Sequence, residues 1–408
     1  MKVLVSCYAC SPYQGSEPGM GWNFVNCLSK YHELHIITEG KFETDIRRFF
    51  CENPEREKDF HFYFIWKNRH KKLRKIWPPS YYWFYKAWQK KAYKLAVELN
   101  DRERFDVIHQ LNMVGYREPG YMWKINKPLV WGPIGGLGKV PWSLIPTMNL
   151  RGMVFYTFHN VINNWQMHFN RRVHAAMNNA AALIAATADT QIAIKKIYGR
   201  ESVIIPEVGL VGNANNEISR RNKKGEKLKI CWSGLHIPRK SLNLLLEALD
   251  ICDCNNIELH IIGEGTETAH WKKMAQELQL RNIVWHGWVE RAEAIKIMQG
   301  CHLFCITSLS DLTSTVILEA LSFGLPVVTL DHCGFSNVVT EKSGLKIPII
   351  NKKQVVSDFS KAIILLESDE DLRYKLAQGA QKRSLDYNWD DKAKTINKIY
   401  ESVSVQNI

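Results

Sequence analysis

Residues Thr307 to Asp331 read TSLSDLTSTVILEALSFGLPVVTLD. An apolar strand ends near Thr307 and a polar loop holding Asp311 follows. Thr313 or Ser314 is suited to cap a helix that contains Glu319, and Gly324 with Pro326 stops it. The stretch therefore predicts a strand over His302 to Thr307, a helix over Ser314 to Phe323 and a strand over Pro326 to Leu330. Strand, helix and strand in that order form one turn of a doubly wound α/β sheet. A helix start offers unpaired backbone N–H groups and the positive end of a dipole, which together suit a phosphate. At a rise of ~1.5 Å per residue, Glu319 lies about 8 Å along the axis from the cap, within reach of a sugar on that phosphate. Asp311 faces the other side of a diphosphate. Two carboxylates so placed fit a nucleotide sugar.

The same alternation extends outward in both directions. Upstream lie strands Leu228 to Ser233, Ile257 to Ile262 and Ile283 to Trp285, with helices Leu242 to Leu249 and Thr266 to Leu278 between them. Earlier still, an apolar run Lys2 to Ala9 leads into the loop SPYQGSEPGMG (Ser11 to Gly21), a helix Trp22 to Leu28 and a strand Leu34 to Thr38. Further strands are expected at Phe60 to Trp66, Asp106 to Leu111, Pro128 to Ile134, Ala181 to Ala186 and Ser202 to Ile205. Between the two series, Gly212 to Lys227 (GNANNEISRRNKKGEK) loses its hydrophobic residues and reads as a linker. The expected organisation is an α/β protein with Rossmann-like domains at 1–211 and 228–386, a linker at 212–227 and a terminal helix at 387–408. Sheets of this kind bind ligands outside the carboxyl ends of their strands, so the site is expected in the cleft between the domains. No internal repeat stands out.

Length and composition agree with this plan. The 408 residues exceed one ordinary core, and 46% hydrophobic with 23% charged residues excludes a disordered or polytopic membrane chain. No uncharged apolar stretch approaches the ~20 residues that span a bilayer, so no crossing of a membrane is expected; the scattered cysteines point to the cytoplasm, peripheral to the cytoplasmic face of the membrane if the protein docks there. Ten scattered cysteines suggest reduced thiols. A net charge of +13 points to a negatively charged partner. Residues 67–94 concentrate that charge, pairing Lys67, Arg69, Lys71, Lys72, Arg74 and Lys75 with aromatics from Trp77 to Trp88. That composition suits an anionic membrane surface, and equally a basic helix whose aromatics pack on their own domain. No nucleic acid is expected as a partner.

The quoted stretch resembles the retaining GT-B glycosyltransferases of family 4, the glycosyl transferases group 1. Their hallmark is two acidic residues with seven between them, followed by E-A-x-x-x-G-x-P-V. Here Asp311 and Glu319 are the acids, followed by Ala320, Gly324, Pro326 and Val327. The first acid is usually glutamate in the family and is aspartate here, one methylene shorter. The resemblance extends to Gly234 to Leu246 (GLHIPRKSLNLLL), Ile262 to Gly265 (IGEG) and Val284 to Val289 (VWHGWV). It implies a lysine at the donor diphosphate, matched by Lys240. It also implies an arginine just after Gly234, where Leu235 stands, so Arg239 is expected to supply that charge.

The resemblance further assigns donor binding to Gly15, Gly19, Gly234, Gly263, Gly287, Trp288, Thr313, Ser314 and Thr315. On the acceptor side Gly135 and Gly136 stand as backbone donors where relatives carry a histidine, and His109 is a candidate by its place at a strand end, where a lone histidine is more often simply packed and hydrogen-bonded. The implied reaction is retaining transfer of a hexose-type sugar from a nucleoside diphosphate to a glycan or lipid-linked glycan in cell-surface polysaccharide synthesis. The departing phosphate accepts the acceptor's proton, and no metal or other cofactor is expected. Two rival readings stay open at this point. One is a nucleotide-sugar epimerase or hydrolase of the same fold, and the other is a non-catalytic basic protein that binds membrane or RNA.

Overall fold

The computed structural model describes residues 1–67, 76, 80–211, 226–252 and 256–405. The expected linker lies almost wholly outside the described residues, as do Arg69 to Lys75 and Trp77 of the basic and aromatic segment. The chain divides into two compact units. One comprises Met1–Leu137, Trp165–Glu207 and Trp389–Ile408, and the other Gly138–Asn164 and Val208–Asn388.

The first unit is built on a parallel sheet of seven strands: β1 (Lys2–Cys7), β2 (Glu33–Glu39), β3 (Phe60–Ile65), β4 (Val107–Asn112), β5 (Leu129–Ile134), β6 (Ala182–Ala185) and β7 (Val203–Ile204). Their order is β3-β2-β1-β4-β5-β6-β7. The second unit has six parallel strands: β8 (Leu228–Ser233), β9 (Ile257–Ile262), β10 (Ile283–Gly287), β11 (Leu303–Ile306), β12 (Val327–Leu330) and β13 (Gly344–Ile347). Their order is β10-β9-β8-β11-β12-β13. In each sheet the first strand lies inside and the chain winds outward both ways, the doubly wound topology the alternation predicts. Central strands are buried along their whole length because helices cover both faces; β4, β5, β11 and β12 are buried throughout, β4 with His109, Gln110 and Asn112 among its residues.

Residues 138–164 were expected in the N-terminal domain, yet they cluster with the second unit. Val140, Leu144, Ile145 and Met148 join the core formed by Trp232, Trp271, Phe359 and the leucines of helix Leu242–Cys252, which accounts for the placement. The terminal helix Trp389–Val405 clusters with the first unit. There Trp389 meets Phe24 edge-on at 4.9 Å between ring centroids.

A short internal repeat emerges once the sheets are aligned. Glu33 to Gly40 reads ELHIITEG and Glu258 to Gly265 reads ELHIIGEG, identical at seven of eight positions. They occupy corresponding strands, β2 and β9, each next to the first strand of its sheet. Even the polar contacts correspond. His35 Nε2 meets Glu33 at 3.1 Å and His260 Nε2 meets Glu258 at 2.8 Å, while each Nδ1 reaches the neighbouring strand, at Tyr63 or His286. Register also sets His61 opposite His35, so Glu33, His35 and His61 bring possible metal-ligand atoms within 4.8 Å of one another. That cluster was not visible in the sequence because His61 comes from another strand.

Candidate functional site

The second unit carries the predicted residues at the carboxyl ends of its strands. After β8 the chain turns through Gly234 and Leu235 into a short turn, Pro238–Lys240. Gly263, after β9, adopts φ +118°, and a Cβ there would sit 2.1 Å from the Gly234 carbonyl oxygen. Only glycine permits that approach. The Gly263 N–H donates to the Gly287 carbonyl at 2.8 Å, and the Gly234 N–H to Ile262 at 3.0 Å. Three predicted glycines thus tie neighbouring loops backbone to backbone. Trp288 is exposed beyond them.

Lys240 is buried beside this junction, and its ammonium donates to Asp311. Arg239 reaches the same carboxylate at 3.6 Å and donates to the Ser310 carbonyl. The backbone fixes both cations, because Leu309 N–H donates to Arg239 O at 2.8 Å and the Thr307 hydroxyl to Lys240 O at 2.7 Å. Asp311 accordingly stands at the lysine and arginine. Two cations share one carboxylate, and an excess of positive charge remains at the strand end.

Thr315–Ser322 forms the predicted helix, with Ser314 at its cap in a left-handed conformation (φ +67°) and making no side-chain cap bond. A non-glycine residue held in that region is strained and marks a functional candidate. Thr313 is buried and Thr315 exposed. Gly334 allows this loop to pack, since a Cβ there would lie 2.7 Å from Leu312 O. Glu319 accepts two bonds from Arg291, at 2.6 and 3.2 Å.

Several neighbours carry no sequence signal. Arg291 lies 28 positions before Glu319, too distant for any spacing signal. His236 is buried among Trp232, Trp271 and Trp285 with Nδ1 bonded to Thr268, and burial lowers its pKa to about 4, so the imidazole is neutral. Tyr156 feels the charges of Arg239 and Asp311, and burial raises its pKa. It belongs to helix Leu150–Phe169, whose Gly152 packs closely on Pro238.

In the first unit the glycine loop behaves as expected for a tight turn. Gly15 caps helix Ser16–Leu28, and a Cβ on Gly19 would meet the Gln14 carbonyl at 2.4 Å. Two acceptor-side expectations need correction. His109 is fully buried: Nε2 donates to Gly132 O at 2.8 Å, which leaves Nδ1 to accept from the Tyr400 hydroxyl at 2.5 Å. Burial lowers its pKa to about 4, and its role is to pack the terminal helix. The Gly135 amide already donates to Val114 O at 2.8 Å, so it offers no backbone donor. Gly136 adopts φ +83° beside Tyr116.

The fold is that of the GT-B glycosyltransferases. An Anabaena HepE structure solved with UDP superimposes with a TM-score of 0.62 at 18% identity, covering 98% of this chain and 100% of that one. Residues 213–383, which fall within the second unit, match the family model of glycosyl transferases group 1. A phosphatidyl-myo-inositol mannosyltransferase of Mycobacterium leprae is 25% identical over 170 residues, 41% of this chain and 44% of that protein. An N,N'-diacetylbacillosaminyl-diphospho-undecaprenol alpha-1,3-N-acetylgalactosaminyltransferase of Campylobacter jejuni is 29% identical over 196 residues, 45% of this chain and 50% of that protein. The chain thus spans about half the length of the curated relatives it matches.

Proposed function

We propose that the protein is a retaining glycosyltransferase of family 4 that moves a hexose-type sugar from a nucleoside diphosphate to a hydroxyl on a glycan or lipid-linked glycan. The observation that carries this reading is the juxtaposition of Lys240, Arg239 and Asp311 beside the strained Ser314 helix start. Charge develops on the departing diphosphate, and two fixed cations with a helix amino end stabilise it most where water is sparse. Lys240 and Arg239 take the diphosphate oxygens, the Ser314 to Thr315 amides support them, and Glu319 accepts hydrogen bonds from the sugar hydroxyls. Asp311 holds the two cations in place and is released toward the sugar as the diphosphate takes over their charge. The Gly287 to Trp288 turn borders the base, and the departing phosphate takes the acceptor's proton. This reading puts the reaction in the cytoplasm and expects no metal, since Lys240 and Arg239 supply positive charge for the diphosphate.

Titration calorimetry with UDP and GDP tests the donor half. Binding should be retained by the wild type and fall at least ~10-fold in Lys240→Ala, the loss of one charge-assisted contact. Nucleotide binding indifferent to Lys240 and Arg239 would remove the assignment. Incubation with donor alone separates the rivals, since an epimerase or hydrolase consumes nucleotide sugar without an acceptor.

A further inference from the structure

Helix Leu150–Phe169 is built inside out. Its large exposed residues are Leu150, Val154, Phe155, Phe158, Val161, Ile162, Trp165 and Phe169, each at least half accessible. At ~100° per residue these eight fall within an arc of about 140° on one face. The opposite face buries Gly152, Asn160, Asn163 and Met167. Asn160 exchanges two hydrogen bonds with the Val140 backbone, at 2.8 and 3.1 Å, and Asn163 donates to Gly138 O at 3.1 Å. The asparagines are therefore the helix's inward anchors, and the aromatics face out. A water-facing helix has the reverse arrangement.

We infer that this face docks the protein on an anionic lipid bilayer, lying in the interface rather than spanning it. Charge favours a lipid surface over a protein partner chosen at random. No aspartate or glutamate occurs from Pro119 to Ala188, whereas Lys124, Lys127, Lys139, Arg151 and Arg171 do, Arg172 being paired with Glu118 at 2.9 Å, and the whole chain carries +13. Exposed Trp142 and Trp165 supply the ring type that settles at a headgroup boundary. The helix carries Arg151 in its first turn, and among the described residues no helix is long and apolar enough to cross a membrane. The basic and aromatic segment that the sequence singled out is a poorer candidate in its described part, since Tyr85 and Trp88 are buried and Trp88 donates to Ile65 O.

The surface gains meaning from what lies beneath it. The inner face of the same helix packs Gly152 on Pro238, next to Arg239 and Lys240. One helix diameter, ~10 Å, therefore separates the docked face from the turn that carries the donor cations. Placement that close suits an acceptor whose lipid remains in the bilayer; this consequence rests on the transferase reading, whereas docking itself does not.

Flotation of the full-length protein with phosphatidylglycerol-containing and pure phosphatidylcholine vesicles tests the inference. The wild type should float with the anionic vesicles, and Phe155→Ser/Phe158→Ser/Ile162→Ser should reduce partitioning at least ~10-fold, as expected for losing several half-buried apolar side chains. Because these side chains are exposed, the variant should keep its thermal unfolding midpoint and its UDP or GDP affinity, which keeps this test separate from that of the donor site. Equal flotation of variant and wild type, or a wild type that stays in solution with both vesicle types, overturns the proposal. So does a wild-type dimer, seen by light scattering, that the variant converts to monomer without any vesicle binding, because the face would then join two copies of the chain.

Discussion

β2 and β9 end in almost the same octapeptide, yet their ends are built differently. In the first unit the sixth position is Thr38, buried, with its hydroxyl on the Tyr8 carbonyl at 3.4 Å. In the second it is Gly263, turned to φ +118° against the Gly234 carbonyl. The first strand end is covered by side chains: Tyr8 packs on Tyr85 and Trp88, and Lys67 donates to the Tyr8 hydroxyl at 2.6 Å. The second is tied backbone to backbone at its glycines, with the Glu264 carboxylate against Gly287 and the Lys240 stem against Gly234. One residue in eight thus separates a strand end covered by aromatic side chains, with Glu39 and Lys67 among them, from one tied by glycine backbone.

The largest expected effect tests whether the charged end performs chemistry. Glu319→Ala should reduce sugar transfer by ~100-fold or more, the scale of removing one polar contact that acts in the transition state. Its melting temperature should remain near wild type, because the bonded Arg291 is mostly exposed and such a pair contributes little. Near-normal turnover with the true donor and acceptor would leave the second strand end without its assigned role.

Next in size is the exchange of the distinguishing residue. Gly263→Thr installs the first unit's side chain where φ is positive and a Cβ meets backbone oxygen at 2.1 Å. Backbone cannot yield as a side-chain tip does, so the cost should be on the order of 3 kcal/mol or more, seen in urea unfolding, with nucleotide binding lost in parallel. Unchanged stability would mean that the loops can part freely and that the glycine junction does not define the site.

The two units also treat buried lysines differently. Lys240 faces a carboxylate, whereas Lys392 donates to the neutral Pro206 carbonyl at 2.9 Å. Burial lowers the Lys392 pKa to about 7, with Glu207 opposing the shift. The folded state therefore binds fewer protons than the unfolded one between pH ~7 and ~10.5, and stability should rise with pH across that window. Lys392→Met should stabilise the protein by a few kcal/mol at or below pH 7, and the gain should vanish as pH approaches 10.5. Parallel stability curves for the two proteins would show that the ammonium is not penalised.

What the sequence disclosed follows the physics of each signal. Apolar runs and glycine stops mark the strands flanking the site, because a covered parallel strand is mostly apolar and a helix ends where its pattern breaks. The local group Asp311, Ser314 and Glu319 was readable for the same reason. Residues 138–164 were not, since Val140, Leu144 and Ile145 read as apolar in either unit and only packing decides which core takes them. His109 looked like a ligand at a strand end, but its partner Tyr400 is 291 positions away. The outward face of the helix at 150–169 carries no sequence signal, because its apolar period matches an ordinary buried face and the sequence does not say which side faces in.

The smallest effect belongs to the reverse exchange, Thr38→Gly. Thr38 sits in extended strand geometry, so glycine meets no steric obstacle there. What it removes is a long hydrogen bond at 3.4 Å and some packing, and what it adds is chain entropy in the unfolded state. The sum should be about 1–2 kcal/mol in urea unfolding, with nucleotide binding unchanged. The asymmetry between the two exchanges carries the argument: a glycine placed in the first unit only loosens a packed end, whereas a threonine placed in the second breaks a junction. If Thr38→Gly instead cost as much as Gly263→Thr, the two strand ends would be equally constrained, and the glycine at 263 would be a matter of packing rather than the feature that leaves room for a charged site.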